Sequence, residues 1–244
     1  MSDVTTQLSS NVDMLMREFY IITNNLANVS TVGFKRRCNA FSKVLDNQET
    51  GTGEYSPGGV DLKSLLDFSQ GSVVETGRPL DFALYGKGFF EIETTEGPLY
   101  TRNGMFRTNQ NGQIVDPQGR IVAGDAGPIT IPAAVGLSEL NVSSDGTVSA
   151  GAITIGKFKL VDFGENENKL VSVGESCFLM PDENIKPVST ENIVVKQGYQ
   201  EASNVKMVDE LVDMIMVTRI YEATMKFVTA QKDTSSSILG VAMG

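Results

Sequence analysis

Few residues in this sequence of 244 could carry catalysis, because it contains no histidine. The Ser-His-Asp and Cys-His arrangements are therefore excluded, and the commonest metal ligand is missing. What remains is a pair of carboxylates of the kind that glycosidases use, for example among Asp81, Glu91 and Glu93. With 30 acidic residues some pairs lie close by chance, and the spacing of these three fits the solvated face of a strand equally well. We predict that the protein is not an enzyme.

Two cysteines and two glycines are the other candidates for chemistry. Cys38 and Cys177 lie far apart and form neither a CxxC pair nor a zinc-ligand spacing, so we interpret them as ordinary small residues. An oxidising compartment could still join them in a disulfide. Gly86 and Gly88 could imitate a phosphate-binding loop, but no helix follows them, and a β-turn explains them better. The sequence predicts no metal and no cofactor.

The charge balance limits the possible partners. The sequence has 20 basic and 30 acidic residues, a net charge of −10, and its only basic cluster is Lys35-Arg36-Arg37. This argues against nucleic acid or an anionic membrane as partner, since both select for clustered Lys and Arg. No apolar run approaches the roughly 20 residues needed to span a bilayer. The start, Met1-Ser2-Asp3, is not basic, so we expect no cleavable signal peptide. Composition alone suggests the cytoplasm.

Both ends of the chain carry apolar residues at helical spacing. The steps alternate between four and three, the heptad spacing that lets one helix bury a stripe against another. The C-terminal face is so wide that it needs more than one neighbour. The N-terminal seam comprises Leu8, Val12, Leu15, Phe19, Ile22 and Leu26. The C-terminal seam comprises Asn204, Val205, Met207, Leu211, Met214, Ile215, Tyr221 and Met225, of which Met207, Leu211, Met214, Tyr221 and Met225 keep these steps together with Thr218.

Between the ends the pattern changes to short β-prone segments separated by turn signals. Asn111-Gly112, Gln118-Gly119 and Asp145-Gly146 are tight-turn dipeptides. We predict an α+β fold, in which two terminal heptad helices form a coiled coil and the central antiparallel β domain is a distorted barrel or sandwich. The expected domains are an N-terminal helix and junction (1–45), a flexible loop (46–70), the β domain (71–200) and a C-terminal helix (201–244).

The N-terminal helix is expected to end in the stretch from Asn24 to Lys35. Asparagine tolerates the left-handed conformation that often ends a helix, and Gly33 can supply a positive φ at no steric cost. Lys35, Arg36 and Arg37 would complement the negative end of the helix dipole. Local chemistry thus favours a helix cap and a turn over a binding role.

As a string of residues, however, this stretch resembles the Ala-Asn-x-x-Thr-x-Gly-Phe-Lys signature of bacterial flagellar basal-body rod and hook proteins. Two further blocks are similar to the same family, one at 78–106 and one at 201–222, so the resemblance covers nearly the whole chain. It implies that the signature stretch is an assembly motif, formed here by Asn25, Ala27, Asn28, Thr31, Gly33, Phe34 and Lys35.

The resemblance also implies a function. Such proteins are exported unfolded by the flagellar type III export apparatus, and assemble in the periplasm with copies of themselves and with other axial proteins of rod and hook. They would form the rod of the basal body, a drive shaft that transmits torque from motor to hook, and their terminal helices order only on assembly. Residues 124–132 and 144–149 are closest to the proximal rod type, with a distal rod or hook-type subunit as the alternative. An alternative of another class is a soluble binding protein, trimerised through its helices, that presents the β domain to a ligand.

Overall fold

A computed structural model describes the backbone of residues 2–42, 61–189 and 193–243, and the side chains of residues 9–38, 65–189 and 193–230. It confirms the α+β class, with a helix at each end of the chain and antiparallel strands between them. The chain divides into two compact units. The first contains Met1–Ala27, Arg37–Leu65 and Lys206–Gly244, and the second contains Asn28–Arg36 and Leu66–Val205. Of the flexible loop that we expected at 46–70, residues 46–60 lie outside the described residues, whereas Asp61–Leu66 form a strand.

The first unit is built around two helices, α1 (Ser2–Ala27) and α2 (Met207–Met243). Strands β1 (Arg37–Ser42) and β2 (Asp61–Leu66) form a two-stranded sheet. The helices pack against each other, and Ile21, Ile22 and Val217 are buried. Within the described residues, neither helix has a segment both long and apolar enough to cross a membrane.

The second unit consists of short strands joined by tight turns. Within its described part, the helical segments are two 3-10 turns, Leu137–Glu139 and Gly164–Lys169. The strands are β3 (Val73–Glu75), β4 (Phe82–Tyr85), β5 (Phe89–Glu93), β6 (Leu99–Thr101), β7 (Arg107–Thr108), β8 (Ile114–Val115), β9 (Ile121–Val122), β10 (Leu140–Val142), β11 (Thr147–Ala150), β12 (Ile153–Lys157), β13 (Leu160–Asp162), β14 (Val171–Gly174), β15 (Cys177–Leu179), β16 (Val188–Ser189), β17 (Val194–Gln197) and β18 (Tyr199–Glu201).

The largest sheet runs in the order β14-β15-β6-β5-β9-β8-β7, and β13 joins β5 to β16. Strands β10, β11 and β12 form a second sheet, while β17 pairs with β4 and β18 with β3. All these pairs are antiparallel. The path of the largest sheet has two ends, at β14 and β7, so the described strands do not close into the barrel that we considered.

The three dipeptides for which the sequence predicts tight turns do form turns in the structure. Gly112, Gly119 and Gly146 have φ values of 76°, 86° and 86°, which residues with a Cβ rarely adopt. Their strands enclose two apolar clusters. Phe82, Phe90, Phe106 and Phe158 meet in one of them, and Phe89, Tyr100, Phe163 and Phe178 in the other. These aromatic clusters fix the strands that carry the site described below.

The buried phenol of Tyr100 gives this unit a testable dependence on pH. Its ring packs edge-on against Phe163 at a centroid distance of 4.7 Å, and burial together with the nearby Glu91 carboxylate raises the pKa of Tyr100 to about 12. The unfolded chain therefore ionises first as the pH rises through 10. The stability present below pH 10 should fall between pH 10 and pH 12, by an amount on the order of 2 kcal/mol from this group.

Urea unfolding of the wild type and of Tyr100→Phe at pH 9, 10, 11 and 12 measures this contribution. The difference in unfolding free energy between the two proteins should move in favour of Tyr100→Phe as the pH rises. A constant difference across the series would show that the phenol ionises equally easily in both states.

Candidate functional site

The signature stretch folds as a tight turn at the start of the second unit. Thr31 donates its backbone N–H to the carbonyl of Asn28 at 3.1 Å, and its hydroxyl donates to the Asn28 side chain at the same distance. Gly33 has a φ of 68°, as the sequence indicated. Asn24, Asn25 and Asn28 do not adopt the left-handed conformation, since Glu175 and Ser176 are the non-glycine residues with positive φ in the described chain. Asn25 and Asn28 form side-chain hydrogen bonds instead.

Lys35 is the centre of the site. Its ammonium lies 2.7 Å from Glu201 Oε1 and 2.7 Å from the carbonyl oxygen of Ser69, and both ionic side chains are almost completely buried. The expected role at the end of a helix dipole is therefore replaced by an ion pair with a residue 166 positions away. Burial lowers the pKa of Lys35, and the Glu201 carboxylate opposes that shift.

Arg102 completes this buried group. Its Nη1 lies 3.4 Å from Glu201 Oε2, and its Nη2 donates to the carbonyl of Gly86 at 2.7 Å. Glu201 also accepts the backbone N–H of Gly71 through Oε1 at 3.0 Å. Burial lowers the pKa of Arg102 as well, again opposed by Glu201. One carboxylate thus holds two cations and a backbone amide, an arrangement that fixes the positions of all three.

Asn204 joins the same three stretches of chain through backbone contacts. Its Oδ1 accepts the N–H of Arg36 at 2.7 Å, and its Nδ2 donates to the carbonyls of Asp67 and Ser69 at 2.7 Å and 3.1 Å. Asp67 donates its own N–H to the carbonyl of Arg36 at 2.9 Å. Residues 34–36, 67–71 and 201–204 are therefore tied together, and we call them the three-segment clamp.

Close packing explains why a glycine lies in the turn beside the clamp. A Cβ at Gly33 would come within 2.4 Å of the backbone nitrogen of Asn103 and 2.7 Å of the carbonyl carbon of Arg102. Gly33 also donates its N–H to the carbonyl of Glu201 at 2.8 Å. The adjacent carbonyl of Val32 accepts a hydrogen bond from the Ser176 hydroxyl at 3.0 Å. Phe34 is buried, so the turn is held by polar and apolar contacts together.

The seam residues range from buried to exposed. On α1, Ile22 is buried, Val12, Leu15 and Leu26 are half-buried, Phe19 is exposed, and Leu8 lies outside the described side chains. Ala27 of the signature stretch is exposed as well. Before α2, Asn204 is half-buried and Val205 buried. On α2, Met214 and Tyr221 are half-buried, and Met207, Leu211, Ile215 and Met225 are exposed. Among the described side chains of α2, the buried residues Glu210 and Val217 lie one heptad apart, and they were missed because a wide apolar face hides which stripe turns inward.

The residues considered for catalysis have structural partners. Asp81 accepts hydrogen bonds from the Thr76 hydroxyl and the Gln200 amide, each at 2.7 Å. Glu91 forms an ion pair with Lys159 at 2.7 Å, and Glu93 is exposed. The described residues contain no group of three or more His, Cys, Asp or Glu side chains able to hold a metal ion.

The remaining candidates for chemistry are the two glycines and the two cysteines. Gly86 and Gly88 lie in the turn between β4 and β5, with φ values of 97° and 136°. Cys177 is a buried free thiol whose pKa is raised by burial, and Cys38 is half-buried in β1.

Two family models match this chain. One, described as the flagellar hook protein FlgE/F/G D1 domain, matches residues 83–150, and the other, the flagellar basal body rod FlgEFG protein C-terminal, matches residues 196–241. The second match contains Glu201 and Asn204 of the clamp.

Rod proteins are also similar to this chain over most of their length. Flagellar basal-body rod protein FlgF from Caulobacter vibrioides is 32% identical over 91% of this chain and 91% of its own length. FlgF from Mesorhizobium japonicum is 33% identical over 93% of each. Flagellar basal-body rod protein FlgG from Buchnera aphidicola subsp. Acyrthosiphon pisum is 32% identical over 86% of this chain and 88% of its own length.

Removing the Lys35 ammonium should loosen the clamp. Lys35→Met leaves Glu201 buried with one cation fewer, so we expect the unfolding free energy to fall by about 3 kcal/mol. Urea unfolding gives the free energy, and hydrogen exchange at the Gly33 amide, which bonds to the Glu201 carbonyl, reports the turn directly. The matched control is Lys186→Met, at an exposed lysine of the same unit. Equal stability of the two variants would mean that the Lys35 pair does not hold the turn.

Proposed function

This chain belongs to the flagellar basal-body rod protein family and is a structural subunit of that class, and we propose that it assembles through its terminal helices into a helical tube. The tube is the axial rod, which transmits torque from the motor to the hook. No catalytic role is proposed for it.

The observation that carries this proposal is the exposed apolar face of α2. Its residues are exposed although the opposite side of the helix packs on α1. Contiguous apolar surface of this kind on a soluble chain usually marks an interaction site. It includes Val208, Leu211, Val212, Ile215, Met216, Ile220 and Phe227, whose exposed fractions range from 42% to 71%.

We propose that copies of this chain and other axial proteins of rod and hook cover that face. A contact between different surfaces of neighbouring subunits does not close on itself, so it generates an open helical assembly. In the assembly, α1 and α2 would form a coiled coil of the inner tube, with the signature stretch among its contacts. We further propose export by the type III apparatus and a final location in the rod within the periplasm.

Within the family we assign the chain to the proximal rod, on the resemblance at residues 124–132 and 144–149. A distal rod subunit is the second candidate, because relatives named FlgG are as similar in identity as those named FlgF. Deleting the chromosomal gene and locating the tagged protein in isolated basal bodies distinguishes the two positions.

A charge placed on the exposed apolar face tests the assembly. Leu211→Asp should leave the isolated chain folded, since Leu211 is 42% exposed, but should abolish incorporation into rods by burying an unpaired carboxylate between subunits. The measurement is the amount of variant protein in purified basal bodies, together with swimming in soft agar. Lys226→Asp, at an exposed polar position of the same helix, is the control and should incorporate.

Limited proteolysis of the purified variant must give the same protected fragments as the wild type, which shows that folding is intact. Incorporation of Leu211→Asp at the wild-type level would overturn the proposed interface. A closed trimer of the wild-type chain in sedimentation analysis would favour the soluble binding protein instead.

A further inference from the structure

A buried polar contact joins the two helices of the first unit. Asn25, in the last turns of α1, donates from Nδ2 to Glu210 Oε2, in the first turn of α2, at 3.2 Å. Both side chains are completely buried, and other buried residues of these helices are the apolar Ile21, Ile22 and Val217. Because the end of α1 meets the start of α2 and the helices pack together, they run antiparallel.

The orientation of the Asn25 amide is fixed from its other side. Its Oδ1 accepts the N–H of Arg37 at 2.9 Å, and its Nδ2 donates to the carbonyl oxygen of Arg37 at 2.9 Å. One amide hydrogen is thus used by β1, and the second points to Glu210. Asn25 therefore connects α1, β1 and α2, and it requires an acceptor at one position along α2.

The apolar contacts of the helices do not specify a position so sharply. Apolar residues recur along both helices at heptad spacing, so a shift by seven residues, about 10 Å, again places apolar side chains opposite apolar side chains. The α2 face is also wide, with Leu211, Val212 and Ile215 exposed beside the buried stripe. In a shifted register the Asn25 amide and the Glu210 carboxylate would be buried against apolar groups, which is costly.

We propose that Asn25 and Glu210 are positioning residues that fix the register of α1 on α2, and that they select this stripe of α2 for α1. The exposed apolar face then remains available for neighbouring subunits, a consequence that rests on the proposed function. The pair contributes specificity more than stability, as a buried asparagine does in a coiled coil.

Distance measurements between spin labels test the register in the full-length chain, both free and incorporated into basal bodies with an excess of unlabelled chain, because the resemblance implies that the terminal helices order on assembly. Labels are attached at Arg17→Cys on α1 and Glu222→Cys on α2, both exposed positions, after Cys38 and Cys177 are changed to alanine. Glu210→Leu removes the acceptor and leaves Asn25 bonded to Arg37. Glu210→Gln retains a side-chain oxygen at the same place, and Asp209→Leu is the matched control on the exposed neighbour.

The unsubstituted chain, Glu210→Gln and Asp209→Leu should each show one narrow distance distribution. Glu210→Leu should add populations displaced by up to about 10 Å, the rise of one heptad, while its helix content and melting temperature stay near the starting values. A single unchanged distance in Glu210→Leu would overturn the proposal, and so would a lower melting temperature at an unchanged distance, which indicates a stabilising role alone. A broad distribution in the unsubstituted chain within basal bodies would overturn it as well.

The measurement on the free chain is independent of rod assembly. If the labelled chain keeps one register but never enters basal bodies, the proposed function fails while the register assignment stands. If the chain enters basal bodies and Glu210→Leu does not alter the distances, the register assignment fails alone.

Discussion

Glu201 holds the Lys35 ammonium at 2.7 Å where water reaches neither side chain, and the turn of the signature stretch depends on that ion pair. The pair is formed across 166 positions of sequence, so it exists only when the two stretches of the second unit are both in place. Gly33 can then approach the backbone of Arg102 and Asn103, and Asn204 can bind the backbone of Arg36. Without the pair, these contacts would have to hold a turn that has no regular secondary structure of its own.

The clamp is better explained by specificity than by stability. Removing charges from water is the largest cause of the lowered pKa values of Lys35 and Arg102, which shows that their burial costs free energy. Apolar residues of similar volume often stabilise such a place as well or better. An apolar contact, however, would accept several positions of the chain, whereas Glu201 accepts Lys35, Arg102 and the Gly71 amide in one geometry. The second unit therefore has a single arrangement of the segments through which the chain enters and leaves it.

Local features of this fold could be predicted from sequence, and long-range pairings could not. The positive φ of Gly33 and the hairpin turns at Gly112 and Gly146 follow from glycine chemistry alone. The stretch from Lys157 to Val161 reads as one strand, but it breaks at Phe158, which bonds to the carbonyl of Gly146, and at Lys159, which bonds to Ala123. No local signal gives those partners, and none pairs Lys35 with Glu201. Likewise, heptad spacing located both helices, but the stripe of α2 that turns toward α1 was not evident because its key residue, Glu210, is charged.

The first unit buries two polar residues and leaves several large apolar residues exposed. Asn25 and Glu210 are fully buried between its helices, while Val208, Val212 and Ile220 of α2 are exposed. For a protein that acts alone this distribution would be unfavourable, since the polar groups lose water and the apolar groups remain in it. For a subunit of an assembly, this distribution gives the two faces of one helix different roles. The inner face, with directional hydrogen bonds, fixes which residues meet within the chain. Under the proposed function, the outer face retains the apolar surface whose burial, at about 25 cal/mol per Å², would drive association with neighbours.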